Sequence, residues 1–258
     1  MAYKNIVFFF LLSTITFGYI GCNDDDDNNS GEGSVELLFK GKYGDQLLTM
    51  FEDTYAYEDG IDLKFQLFQF YISDITLLKE DGEEVLLKDV DIVSFKDIFN
   101  QPDAANGVSL SLGEWPAGNY KGIKFGLGVN ETMNATPPSD YDLDHPLTAS
   151  NYWSWASGYV FTKIEGNADL DNDGEFEEKL TFHIGRNDYY RNMSFEQNLE
   201  ITSDETNIIA FDVDIQKVLT NPSSGAYIDF RTVTQDHTTD PEVAGFVADR
   251  LMEAIQIR

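Results

Sequence analysis

The sequence predicts an all-β fold, an antiparallel β-sandwich or partly open barrel with one C-terminal helix. Three observations carry that prediction. From Ser34 onward, apolar and polar residues alternate in short runs, the period of strands with one buried face. Turn residues separate those runs, as in Asp81-Gly82 and Pro116-Ala117-Gly118-Asn119. Only the tail, PEVAGFVADRLMEAIQI, changes to helical spacing, with Val243, Phe246, Val247, Leu251 and Ile255 along one side.

The chain begins with Lys4 and an unbroken apolar run from Ile6 to Leu12, continues mixed but apolar to Ile20, and reaches Gly21-Cys22. A basic start, an apolar core and a small residue before the cleavage point make a secretory signal over residues 1–21. The core is too short to be a membrane-spanning helix. Cys22 is the only cysteine, so a disulfide within one chain is excluded. A lone cysteine in this setting resembles the bacterial lipoprotein box, which implies acylation of Cys22 and an outer-membrane lipoprotein. Residues 22–33, with the run NDDDDNN, read as an acidic, solvated tether. In some surface lipoproteins such a run resembles an export signal, so periplasmic and surface-exposed placements both stand. Residues 34–258 form the expected β-domain.

Within that domain the strands follow in order. VELLFKGKY (35–43) comes first. In the segment 61–79, Leu63, Phe65, Leu67 and Gln69 alternate with Lys64, Gln66, Phe68 and Phe70. EEVLLKDVDIVSF follows the Asp81-Gly82 turn, and QPDAANGV (101–108) reads as loop. SLSLGEWPAGNYKGIKFGLGV supplies two strands. Residues 130–150, aperiodic and with three prolines, are a long loop of the kind that is often functional. A tryptophan-bearing strand over 153–166 is joined to KLTFHIGR by the turn-rich NADLDNDGEFE. NIIAFDVDIQKVL is the last strand before the helix.

The 46 acidic residues against 17 basic ones give a formal charge of −29. A chain without a basic patch cannot replace the counterions of nucleic acid, so a nucleic-acid partner is excluded. It also repels anionic lipid heads, which leaves membrane attachment to the lipid at Cys22. No serine elbow, HExxH or Walker loop is present, and a non-enzymatic protein is expected.

Candidate ligands are few. His145, His183 and His237 are the only histidines, and imidazole suits copper among the transition metals. In KLTFHIGR, Leu180, Phe182 and Ile184 take one face and Thr181 and His183 the other. A hairpin centred near Asn172 sets Phe161 opposite His183, with Trp153, Trp155 and Tyr159 on the same side. Two readings of His183 stand: a metal ligand beside an aromatic wall, or a half-buried sheet histidine hydrogen-bonded to a neighbour. The indoles likewise are either core packing or neighbours of a metal. In DLDNDGEFE, Asp169, Asp171 and Asp173 occupy positions one, three and five of a calcium loop, Gly174 position six and Glu175 position seven. Leu180 stands at position twelve where a bidentate Glu is usual. The alternative is an acidic β-turn.

Five segments together resemble one family: FQFYISDITLLKEDG (68–82), GNYKGIKFGLGV (118–129), DHPLTASNYWSWASGYVFTKIEG (144–166), KLTFHIGR (179–186) and IIAFDVDIQKV (208–218). They are similar to the MbnP-like family, whose founding members are periplasmic copper proteins associated with methanobactin. The resemblance implies a secreted β-rich domain that binds copper through His145 and His183, in copper acquisition or handling. It places Trp153 and Trp155 near the metal and open to oxidation. In related proteins a di-haem oxidase converts such a tryptophan to kynurenine, so a di-haem oxidase or an outer-membrane transporter is the implied partner. Relatives carry W-x-H where this chain has W-x-W, so kynurenine formation does not carry over by motif. His237, in QDHTTDPE, matches no family motif and is left as a third ligand. Two other functions stand beside copper binding. One is a metal-free envelope interaction or assembly module; the other is a carbohydrate-binding module stacking sugars on Trp115, Trp153 and Trp155.

Overall fold

The computed structural model describes residues 31–156 and 158–258; the expected signal peptide and Cys22 lie outside the described residues. No helix among the described residues is long and apolar enough to cross a membrane. The principal strands are β1 (Glu32–Tyr43), β2 (Asp62–Lys79), β3 (Glu84–Ser94), β4 (Val108–Pro116) and β5 (Gly118–Leu127). They are followed by β6 (Gly158–Asp169), β7 (Glu178–Gly185), β8 (Arg191–Phe195), β9 (Thr206–Asp214) and the short β10 (Gln235–Asp236). Helix α1 (Pro241–Ala254) and β11 (Ile255–Ile257) end the chain. β1 thus begins two residues before the expected start of the domain.

Two curled sheets face each other. One orders β11, β9 and β1, with β4 on the far edge of β1. The other orders β8, β5, β2, β6, β7 and β10, with β3 also on β2. The sandwich and the terminal helix are as the sequence predicts, but the sheets are mixed rather than antiparallel throughout. β1 runs parallel to β9, and β7 parallel to β10. Antiparallel neighbours announce themselves by a short turn, whereas parallel partners lie far apart in the chain and leave no local signal.

β1 alternates strictly, so Val35, Leu37, Phe39 and Tyr43 are buried. Phe39 stacks on Phe211 of β9, ring centroids 5.0 Å apart, and meets Phe70 of the opposite sheet edge-on at 6.2 Å. These rings join the two layers. β2 departs from the simple alternation. The register slips at Gln66, between Phe65 and Leu67, and again at Asp74, between Ser73 and Thr76. Each bulge hands the buried face to the other parity. The core therefore takes Leu63 and Phe65, then Phe68, Phe70 and Ile72, then Ile75 and Leu77. Asp74 sits at φ 53 and accepts hydrogen bonds from Asn130 and Tyr190, which secure the second bulge.

Three segments are helical where strand or loop is expected, the shortest being Glu131–Asn134 behind its Asn130 cap. Gln101–Asn106 is a short helix: Asn100 caps it by accepting from the Asp103 N–H, and Gly107 ends it at φ 76. Ile215–Leu219 is helical behind the Asp214 cap, so β9 is shorter than NIIAFDVDIQKVL suggests. Asp240 caps α1, which buries Ala244, Val247 and Leu251.

The long loop 130–150 lies over the outer face of the second sheet. There Tyr71, Val90, Val129, Leu147, Tyr159 and Phe161 make a second apolar cluster. Tyr71 donates to the Pro146 carbonyl, and Asn151 joins Tyr71 to Gln69. The loop is thereby tied to β2.

Candidate metal centre

β6 and β7 pair as an antiparallel hairpin in which His183 faces Lys163. The expected partner was Phe161. The connection is centred later than Asn172, and the shift is two residues, so the parity survives and His183 still shares the outer face with Glu165, Lys163 and Phe161. His183 Nε2 lies 2.8 Å from Glu165 Oε1. A bulge opposite Ile184–Gly185 then takes up Phe161.

The ring that meets His183 is His237, at a centroid separation of 5.0 Å and 76° between planes. β10 positions it. Gln235 and Asp236 pair in parallel with Thr181 and Phe182, which brings the next residue alongside His183. Asp236 is buried, and its carboxylate accepts from the backbone N–H groups of Thr238, Thr239 and Asp240 and from Thr239 Oγ1. Thr238, at φ 59, donates from Oγ1 to the His183 carbonyl and accepts from the Gly185 N–H. The turn after β10 is thus bonded to the strand that carries His183.

Trp153 completes the group. Its ring lies 6.3 Å from His237 and 5.0 Å from Trp155. The two indoles do not continue the strand of Tyr159 and Phe161, as the alternation suggests. Tyr152–Trp153 is a separate two-residue strand folded back on β6, with Trp153 opposite Gly158. Gly185 makes room for the indole: a Cβ there would stand 2.7 Å from the Tyr159 carbonyl oxygen and 3.0 Å from the Trp153 ring. Trp155 is 61% exposed. Trp115, the third tryptophan, packs against the core and donates to the Leu112 carbonyl.

His145 has other contacts. It stacks on Tyr141 at 4.2 Å, and its Nδ1 accepts from the Leu147 N–H. The pairing expected from sequence was His145 with His183; the ring beside His183 belongs to His237. The loop around His145 is held by its apolar neighbour Leu147 and by Pro146. The turn around His237 is held by Asp236 and the two threonines. That D-H-T-T-D pattern, acceptor and hydroxyls flanking a histidine before a helix cap, was the legible signal.

Glu165, Glu178, Thr181, His183, Gln235 and His237 line a cleft of 440 Å³. Burial pushes the His183 imidazole below its ordinary pKa, Glu165 pulls it back up, and Lys163 and His237 lower it. The ring therefore stays neutral, the form that ligates metals, at a pH where an exposed histidine begins to protonate. The pair suits one transition-metal ion: two imidazoles with ring centres 5.0 Å apart would supply its nitrogen donors. Glu165 orients His183 through Nε2, so Nδ1 is the nitrogen that would ligate a metal, with the carboxylate behind the ring. Glu165→Gln keeps the shape and removes the charge, and a loss of about 10- to 100-fold in metal affinity is expected. Competition against a chelator of known affinity measures it.

Fold and site together define a class: a β-rich sandwich domain with two histidines and a tryptophan gathered at the edge of one sheet. The chain belongs to the MbnP family, whose model matches residues 32–238. Its structure is similar to that of MbnP from Methylosinus trichosporium, with a TM-score of 0.52 at 13% identity, covering 88% of this chain and 98% of that one. No curated protein sequence matches the chain.

Proposed function

We propose that this protein is a lipid-anchored, non-enzymatic copper-binding protein of the bacterial cell envelope that holds one copper ion on His183 and His237. The observation that carries this reading is the 5.0 Å approach of the two imidazoles beside Trp153 in a chain of the MbnP family. Imidazole donors with a carboxylate behind them suit copper. The family's association with methanobactin favours copper over zinc or nickel, and places the protein in copper acquisition or handling. Cys22 supplies the anchor to the outer membrane. The exposed Trp155, tilted against Trp153, offers a contact for the class of partner the family suggests, a di-haem oxidase or an outer-membrane transporter.

The test is stoichiometric. Protein stripped of metal is expected to take up about one copper per chain, since the two imidazoles form one site. Copper(II) is expected to quench the fluorescence of Trp153. Uptake and quenching that persist in a His183→Ala/His237→Ala double variant defeat the assignment to these two rings, and a wild type that takes up no copper leaves the metal-free interaction module in its place.

A further inference from the structure

The β6–β7 connection carries a second cluster with chemistry of its own. Asp169, Asp171 and Asp173 each offer an oxygen, and these oxygens lie within 4.8 Å of one another. Asp171 and Asp173 are exposed, but Asp169 is only 2% exposed. Its Oδ2 accepts from the Gly174 N–H at 2.8 Å, and its Oδ1 has no hydrogen-bond partner. A buried carboxylate oxygen left bare is costly. Asp62 stands directly across from Asp169 in the sheet register, and like charges so placed add to the cost. A cation removes both penalties at once.

The backbone is already wound for one. Gly174 takes φ 91 with open space where a Cβ would stand, which gives the sharp turn a calcium loop needs at its sixth position. The bond from its N–H to the first-position Asp closes the turn. Asp173 accepts from the Glu175 N–H. Asn172, at φ 61, donates to the Gly60 carbonyl and fastens the loop to a neighbouring turn.

We propose that the loop Asp169–Glu175 binds a hard divalent cation, calcium before magnesium, through the carboxylates of Asp169, Asp171 and Asp173. Oxygen donors of uneven reach suit calcium, whereas magnesium demands near-ideal octahedral geometry. Leu180 occupies the twelfth position and is buried in the core, so the bidentate Glu of the strongest loops is missing. Affinity belongs in the range of about 10⁻⁴ to 10⁻³ M, that of extracellular calcium modules. The ion would cross-link the hairpin whose strands carry Glu165 and His183.

Calorimetric titration of chelator-treated full-length protein with calcium chloride tests the proposal. A dissociation constant in that range is expected, with magnesium chloride at least tenfold weaker. About 10 mM calcium should raise the thermal unfolding midpoint, since the ion binds only the folded loop. The exposed pair Asp171→Asn/Asp173→Asn is expected to lose the titration and the thermal shift while taking up copper as the wild type does. Calcium binding undiminished in that variant, or an equal thermal shift from magnesium at matched ionic strength, overturns the proposal.

Discussion

Alanine at either His183 or His237 is expected to weaken copper binding by more than the roughly 10- to 100-fold that loss of an outer-shell partner costs. Each variant keeps one imidazole, and a single imidazole, with or without Glu165 behind it, is a poor copper site. The two losses should not add. Once one ring is gone the ion would have lost one of its two imidazole donors, and removing the second ring takes little more. His145→Ala is expected to bind copper unchanged, because that ring stacks on Tyr141 and its Nδ1 is engaged by the Leu147 N–H. Chelator competition with copper(I) ranks the three variants. If His145→Ala proves as damaging as His237→Ala, the pairing of His237 with His183 is wrong. Folding is not at stake in this comparison, since neither His183 nor His237 is fully buried.

How much of this was legible beforehand follows from what each residue signals locally. The strand of Val35, Leu37 and Phe39 was readable because its buried face keeps one parity. Face assignments along β2 were not, since Gln66 and Asp74 each insert a bulge and an apolar run hides a change of phase. The side of the sheet that His183 occupies was readable from its hairpin, where a two-residue error in register preserves parity. Its partner was not. β7 and β10 are joined by a parallel pairing between residues about fifty positions apart, and parallel pairing has no turn to announce it. The indoles were rightly set near a histidine but wrongly set on a continuous strand, because the hairpin between Trp153 and Gly158 interrupts an alternation that the letters alone continue.

Asp236→Ala should produce the largest loss that reaches both stability and metal binding. The carboxylate is buried and accepts four hydrogen bonds, three at Oδ1 and one at Oδ2. Thr239 and Asp240 are exposed, so water replaces part of what they lose. The Thr238 N–H is buried and has no such recourse. The expected cost is about 2–4 kcal/mol of unfolding free energy, given 1–3 kcal/mol for each buried donor left unpaired. A shift in the urea midpoint at constant slope measures it. Asparagine is the informative intermediate. Its side-chain oxygen can keep the three bonds made at Oδ1, while its amide turns a donor toward the Thr238 N–H and forfeits the fourth. Stability should therefore fall in the order wild type, Asp236→Asn, Asp236→Ala. Copper affinity should fall in the same order, because the bonds that Asp236 makes to the turn are what hold His237 at 5.0 Å from His183. An alanine variant that unfolds earlier yet binds copper as tightly as the wild type would separate the two effects, and would show that β10 alone suffices to place the ring.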